Sequence, residues 1–535
     1  MSIKKIIAFC VLLFAPCSLL TGCSKTGSKS VDKSILHWNE KSELQTLDTS
    51  KAADPVSLTT INNTMEGLYR TGVDSRPEPG LAYKVKISKD SLNYVFYLRN
   101  ARWSNGDKVT ASDFVYSWRR TVSSKVSAPY AYLFDNIKNG YDVRQGRKPL
   151  NLLGVKAQGN TKLVVTLQRR IPYFKELMGF PTFFPQNKKL VKKFGLNYGS
   201  SPSSVSYNGP FQMTSRSQDN TNWKLKKNGT YWDHKYVKLD GINFAVVKNG
   251  QQSYNLFKND KSDIAILDSK KKNAITHSSA SVSYIEFNQT KKYLQNTDIR
   301  NGLSLAINRK KLVQSLLKNE AKVPSAAIPS NYFYYPNSNT DFAKQSQVKG
   351  AVKYSPQKAR LNLKKGLKKL DTKKLVISIL STNYGKDQRI ASFIAKEIES
   401  TLPSTKVSVQ AFPMKEYLKR KKLGQFDLVI SSHRADFHDP ITFLNLFTSD
   451  SLQNSGSWQN SEFDKLIMSS KFKDGGHPER RWNDLVQAEL ILMNEQGVAP
   501  LYQEKTSILL NNKLHGTVYN EFGVNYNFKH SFLEK

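Results

Sequence analysis

The segment His433-Arg434-Ala435-Asp436-Phe437-His438-Asp439-Pro440 gathers the groups of this chain best suited to chemistry. A carboxylate such as Asp436 or Asp439 can hold a cation through charge-assisted hydrogen bonds, roughly twice as strong as neutral ones. His433 and His438, five apart in a loop, form only a weak metal pattern. Nothing in the chain reads as a catalytic motif: there is no Gly-x-Ser-x-Gly, no His-Glu-x-x-His and no Gly-x-x-x-x-Gly-Lys. These residue types point to a binder rather than an enzyme, needing no cofactor and no metal.

The elements around that segment explain its position. Leu375–Leu380 (LVISIL) reads as a buried strand, and Ile390, Phe393, Ile394, Ile398 and Leu402 recur at helical spacing. A strand over 407–412, a helix near 415–422 and a strand over 427–431 follow. This β-α-β-α-β order predicts parallel strands. Ligands in such sheets sit beyond the carboxyl ends of the strands, where residues 432–440 emerge. Earlier in the chain, 94–98 (YVFYL) and 163–167 (LVVTL) read as strands. Residues 113–120 read as a helix capped by Ser112 or Asp113, and 298–317 as one amphipathic helix packed on the core.

The amino terminus carries a second signal. Lys4 and Lys5 precede an apolar run from Ile6 to Phe14, then mostly small residues up to Gly22 and Cys23. The run is too short to span a bilayer and has the layout of an export signal over 1–22. Leu20-Thr21-Gly22-Cys23 resembles the lipobox of bacterial lipoproteins, which implies a diacylglyceryl group on the Cys23 thiol and a chain held on the outer face of the cell membrane. Cys10 and Cys17 leave with the signal, so the mature chain forms no internal disulfide and relies on its core. Residues 23–30, ending in Ser-Lys-Thr-Gly-Ser-Lys-Ser, read as a flexible tether. The 535 residues carry a formal charge of +38. The lysines lie in scattered pairs such as Lys188-Lys189 and Lys421-Lys422, without an arginine-aromatic recognition motif, so nucleic acid is not the expected partner. A basic solvated surface fits best, with anionic cell wall polymers as a sharper alternative.

Many short motifs in a fixed order carry a broader resemblance. They include Leu47-Asp48, Met65-Glu66-Gly67-Leu68, Pro79-Gly80-Leu81-Ala82, Trp103-Ser104-Asn105-Gly106-Asp107, Asn208-Gly209-Pro210-Phe211, Asn228-Gly229-Thr230-Tyr231-Trp232, Ala306-Ile307-Asn308-Arg309, Phe426-Asp427 and the 436–440 segment. The chain resembles the extracytoplasmic solute-binding proteins of peptide, opine and nickel ABC importers, and most of all the oligopeptide-binding lipoproteins of Gram-positive bacteria. The resemblance implies an α/β, periplasmic-binding-protein-like fold of two lobes with an additional third domain and a ligand cleft between the lobes. The boundaries it implies are 31–66, 186–286 and 506–535 for lobe I, 67–185 for the additional domain, and 287–505 for lobe II.

It also implies the function and the site. Such proteins capture oligopeptides and deliver them to the permease subunits of an ABC importer; a peptide-pheromone receptor is the alternative, and nickel or a metal chelate a more distant one. The ligand's main chain pairs with protein strands, as in β-augmentation. Asp436, in Ala435-Asp436-Phe437, matches the residue that holds the terminal ammonium. Ser431-Ser432-His433 match the ligand-pairing strand, Ala53-Asp54-Pro55 the facing segment, and Tyr130 a cleft aromatic. Two positions depart from the pattern. Ile430 stands where some relatives carry a carboxylate-binding arginine, and His433 where an aromatic is frequent.

Overall fold

The computed structural model describes residues 34–318, 320–335 and 338–534. The export signal, Cys23 and the tether lie outside the described residues. In chain order, the principal strands are β1 (Ile35–Glu40), β2 (Ala82–Ile87), β3 (Asn93–Leu98), β4 (Val155–Gln158), β5 (Lys162–Thr166), β6 (Phe211–Arg216), β7 (Asn222–Lys227), β8 (Gly241–Val246), β9 (Ile264–Leu267), β10 (Ile275–Phe287), β11 (Leu375–Thr382), β12 (Thr405–Phe412), β13 (Leu428–Arg434) and β14 (Val498–Leu510). The helices that matter here are α1 (Pro55–Thr64), α2 (Ala111–Val122), α3 (Thr297–Leu305), α4 (Pro356–Lys369), α5 (Gly385–Thr401), α6 (Met414–Lys422), α7 (Ser461–Phe472) and α8 (Pro478–Asn494).

These strands form three larger sheets. One has the order β1-β8-β7-β6, with β1 parallel to β8, and a second has the antiparallel order β2-β3-β5-β4. In β3 the alternation is direct: Tyr94, Phe96 and Leu98 are buried between more exposed neighbours. The third is seven-stranded, ordered β9-β14-β10-β13-β11-β12, with Ala321–Lys322 added on β14.

The expected parallel unit lies in this third sheet. β11 runs parallel to both β12 and β13, and α5 and α6 connect these strands in sequence. Ile390, Ile394, Ile398 and Leu402 are fully buried and pack with Ile377, Ile379 and Leu428. Antiparallel β10 and β14 extend the sheet on the far side of β13. Both are 13 residues long. The lobe boundaries expected at 286/287 and 505/506 fall inside these two continuous strands.

Two local expectations need correction. Thr110, not Ser112 or Asp113, caps α2, because Asp113 sits one turn in and accepts from the Thr110 N–H at 2.8 Å and Oγ1 at 3.0 Å. The single helix expected over 298–317 is broken: α3 ends at Leu305, and after Asn308 the chain restarts as a short turn that widens over Leu312–Leu316. The break turns Arg309 inward. Its guanidinium is 1% exposed and donates to the carbonyls of Pro500, at 2.5 Å, and Ser304, at 2.9 Å.

Candidate ligand site

β13 is paired along its whole length on one edge only. On that edge it faces β10, from Ser281 opposite Arg434 to Phe287 opposite Leu428. On the other, β11 pairs only with Leu428 and Val429. The Tyr417 hydroxyl donates to the Ile430 carbonyl at 2.8 Å, and no strand among the described residues continues past that point. The Ala435 N–H donates to the Ala280 carbonyl at 2.8 Å, which fixes the alternation along this ladder. Antiparallel geometry then directs the N–H and C=O of Ser432 and Arg434 toward the open edge.

Asp436 follows the strand at the carboxyl end, as the β-α-β order predicted. Its side chain is 4% exposed. The Thr442 Oγ1 accepts from the Asp436 N–H at 3.0 Å and donates back to Oδ2 at 3.2 Å. The Tyr132 hydroxyl lies 3.5 Å from Oδ2, and Tyr130 also hydrogen-bonds the carboxylate. Among the described residues no lysine or arginine lies within ion-pair distance of it. Burial without a cation pushes its pKa up to about 7, although three hydroxyls donate to it.

His433 completes the enclosure. Its Nε2 is 3.8 Å from Asp436 Oδ2, but burial drives the imidazole pKa down to about 3, so the ring is neutral and the contact is no ion pair. The ring hydrogen-bonds the Thr442 main chain and stands edge-on to Phe443, with centroids 5.1 Å apart. Nε2 has no partner, so Nδ1 makes the Thr442 bond and Nε2 is left as an acceptor. The carboxyl-terminal segment closes the other side. Gly523 donates to the Ala435 carbonyl at 2.7 Å and has φ of +64°; a Cβ there would also come within 3.2 Å of the Asp436 carbonyl.

The other expected site residues divide by role. The main chain of Ser431 faces β10, and its side chain accepts from Lys421 Nζ at 2.7 Å and donates to Glu286 Oε1 at 2.6 Å. It is turned away from the open edge, as alternation along the strand requires. Ser432 offers that edge its main chain, His433 offers the site its side chain, and Ala435 is packed in the core. Asp54 caps α1, accepting from the Ser57 N–H at 2.8 Å, while its neighbours Ala53 and Pro55 stay exposed. Its charge nevertheless reaches Tyr130, so parts of the chain far apart in sequence converge here.

Asp439, the second half of the expected carboxylate pair, is bound bidentately by Arg481 at 2.7 and 2.9 Å and serves the scaffold. His438 is tied to the Tyr332 carbonyl at 2.7 Å. Among the described residues no group of three His, Cys, Asp or Glu side chains is placed to hold a metal ion.

Tyr132 and Thr442 were not legible as site residues. The short helical turn Ala131–Asn136 and the turn at Ile441–Leu444 bring them in. The only sequence sign was Tyr132 lying two residues after Tyr130.

Several of the quoted motifs meet outside the Asp436 enclosure. Glu66 is fully buried and accepts from the Tyr231 hydroxyl and Trp232 Nε1, both at 2.6 Å, and from Arg70 at 3.2 Å. Asn208 exchanges two hydrogen bonds with the Glu66 main chain. Asp48 is held by Arg120 at 2.7 Å, and Asp427 accepts from Tyr293 and Ser378. These motifs build the frame.

Comparison with known proteins agrees with this architecture. The family described as bacterial extracellular solute-binding proteins, family 5 Middle, matches residues 76–455. The chain is 31% identical to a dipeptide-binding protein of Lactococcus lactis subsp. cremoris, over 99% of each chain. Among solved structures, it superposes on Listeria monocytogenes OppA bound to peptide with a TM-score of 0.90 and 34% identity, covering 94% of this chain and 100% of that one. It superposes on the pheromone receptor PrgZ with a TM-score of 0.89 and 31% identity, again covering 94% and 100%. The α/β fold of two lobes with a third domain is the one these structures share.

Proposed function

The chain belongs to the bacterial extracellular solute-binding proteins of family 5, and from that premise we propose that it captures extracellular oligopeptides for an ABC permease, with Asp436 holding the peptide's terminal ammonium. One observation carries this reading: a buried carboxylate without a cation stands at the end of a strand whose outer edge is unpaired. An extended peptide entering with its amino terminus at Asp436 supplies both missing partners. Its ammonium is donor-only and can bridge Asp436 Oδ2 and the lone pair of His433 Nε2. Its main chain can take the free N–H and C=O of Ser432 and Arg434, which makes recognition largely independent of side-chain sequence.

Ile430 provides no cation at the position where some relatives carry a carboxylate-binding arginine, so peptide length is not fixed from that position. The protein acts as a carrier, not an enzyme, and Cys23 anchors it by lipid to the outer face of the membrane. Its positive charge gives a basic solvated surface, with anionic wall polymers as the sharper alternative partner. The similarity to PrgZ favours a second reading in which the captured peptide is a pheromone rather than a nutrient; the chemistry at Asp436 is the same in both.

Native mass spectrometry of the protein as isolated, followed by calorimetry with one peptide in free and N-acetylated forms, tests the proposal. Co-purifying peptides and a strong preference for the free amine are expected. Equal affinity for both forms removes Asp436 from this role.

A further inference from the structure

A second cavity, of about 200 Å³, lies between residues 122–145 and residues 445–471. Lys471, near the end of α7, lines it. The side chain is nine-tenths buried, yet makes no hydrogen bond or ion pair with any described residue. Four charged groups act on it: Asp135, Arg144, Asp450 and Arg169.

Both carboxylates are already committed. Arg144 binds Asp135 through two hydrogen bonds, at 2.9 and 3.0 Å. Asp450 accepts from Arg144 at 3.0 Å, Gln145 at 2.8 Å and Thr448 at 2.9 Å. Arg169 keeps Nε and Nη2 buried without hydrogen-bond partners, its guanidinium stacked 3.7 Å from the Phe472 ring centroid. The cluster therefore sets three cations against two carboxylates, and of these Arg144, Lys471 and Asp450 line the cavity, whose wall also carries serine hydroxyls and the Gln145 amide. Burial lowers the Lys471 pKa to about 8 even though Asp135 and Asp450 act in the opposite direction, the cost of keeping an ammonium there with no direct ion-pair partner.

We infer that this cavity is a second ligand subsite that takes an oxyanion at Lys471: the carboxylate of an acidic side chain on a bound peptide, or a free inorganic anion. The first source rests on the peptide-binding reading. It is favoured by Tyr132, which lines the cavity while its hydroxyl lies 3.5 Å from Asp436, so a peptide anchored there has this subsite as an immediate neighbour.

Calorimetry on the full mature chain tests the inference. The probes are tetra-alanine, the same peptide with Glu or Gln placed at each of its first three positions, and inorganic phosphate alone. At one position Glu is expected to bind at least tenfold more tightly than Gln, with the preference lost in Lys471→Met and kept in Lys471→Arg. Phosphate binding to the wild type that disappears in Lys471→Met, without any Glu preference, assigns the cavity to a free oxyanion and also supports the inference. Equal affinity of the wild type for every Glu and Gln pair, together with no phosphate binding, overturns it without need of a variant. Failure of tetra-alanine itself to bind counts against the peptide-binding reading and leaves the phosphate arm to decide the subsite.

Discussion

His433 Nε2 and Asp436 Oδ2 face each other across 3.8 Å, and once Asp436 is ionised neither has a proton to give the other. The imidazole is neutral with its proton on Nδ1, and the carboxylate already takes what Thr442 and the two tyrosines offer. Two acceptors at that separation repel unless a donor stands between them. A terminal ammonium is such a donor. The buried, cation-free state of Asp436 is thus an unfilled half of an ion pair, and the cost of leaving it so falls on the unliganded protein.

Asp436→Asn is expected to weaken free-amine peptides by a factor of about thirty or more, since removing one partner of a desolvated charge pair typically costs about 2–5 kcal/mol. N-acetylated peptides should bind both proteins equally poorly. Calorimetry with one peptide in both forms reads this directly.

Acidity should act on the same group. The free protein's carboxyl titrates at about 7, and the ammonium requires its ionised form. Affinity should therefore fall close to tenfold for each unit of pH below about 7, and fall again at alkaline pH as the peptide amine, ordinarily near 8, loses its proton. A pH series with a non-titrating peptide side chain measures it. Asp436→Asn should flatten the acid limb.

The same variant should stabilise the unliganded fold. A carboxyl at about 7 in the folded state and near 4 when unfolded binds its extra proton only in the native chain. The stability it lends is therefore present at low pH and lost as pH rises from about 4 to 7. At pH 7.5 Asp436→Asn should be more stable than the wild type by about 1–3 kcal/mol and melt higher, with the gap closing toward pH 4. Thermal melts of ligand-free protein at both pH values decide it.

His433→Phe keeps a flat ring against Phe443 and removes the Nε2 acceptor. Free-amine peptides should bind more than tenfold more weakly, in line with one lost hydrogen bond to a charged group at about 1.5–3 kcal/mol, and the melting temperature should fall modestly because the Thr442 main chain loses its bond to the ring. Unchanged affinity would show that Asp436 alone carries the ammonium.

Glu66→Gln addresses the frame. It leaves Arg70 buried without its carboxylate, a change that costs about 3–5 kcal/mol. The melting temperature should fall sharply. The ratio of affinities for free and acetylated peptides should not move, since Glu66 does not touch the Asp436 enclosure.

Cys23→Ser should shift the protein from the membrane fraction into medium or wall fractions. The part retained on isolated cell walls should then be released by salt, because exposed charges are screened beyond roughly 8 Å at physiological ionic strength. Membrane retention of the variant would argue against lipid anchoring.

Local patterns determined much of this protein. Short β-branched and aromatic runs marked β3 and β5, and helical spacing marked the buried face of α5. The β-α-β-α-β order was enough to place the loop after β13 beyond the carboxyl ends of parallel strands, and so to bring forward the carboxylates Asp436 and Asp439; the family resemblance then favoured Asp436. Tertiary structure decided what the sequence left equal. Asp436 and Asp439 look alike as letters, but Arg481, from α8, neutralises one and, among the described residues, no lysine or arginine reaches the other. Ser431 and Ser432 differ only by strand alternation, and the pairing with β10 alone selects which one faces the open edge. The protonation of His433, the arrival of Thr442 and Tyr132, and the closing role of Gly523 depend on contacts between residues up to 304 positions apart. Short-range periodicity encodes which face of an element is buried. It does not encode which distant group that face will meet, and the charge state of a buried side chain is set by that meeting.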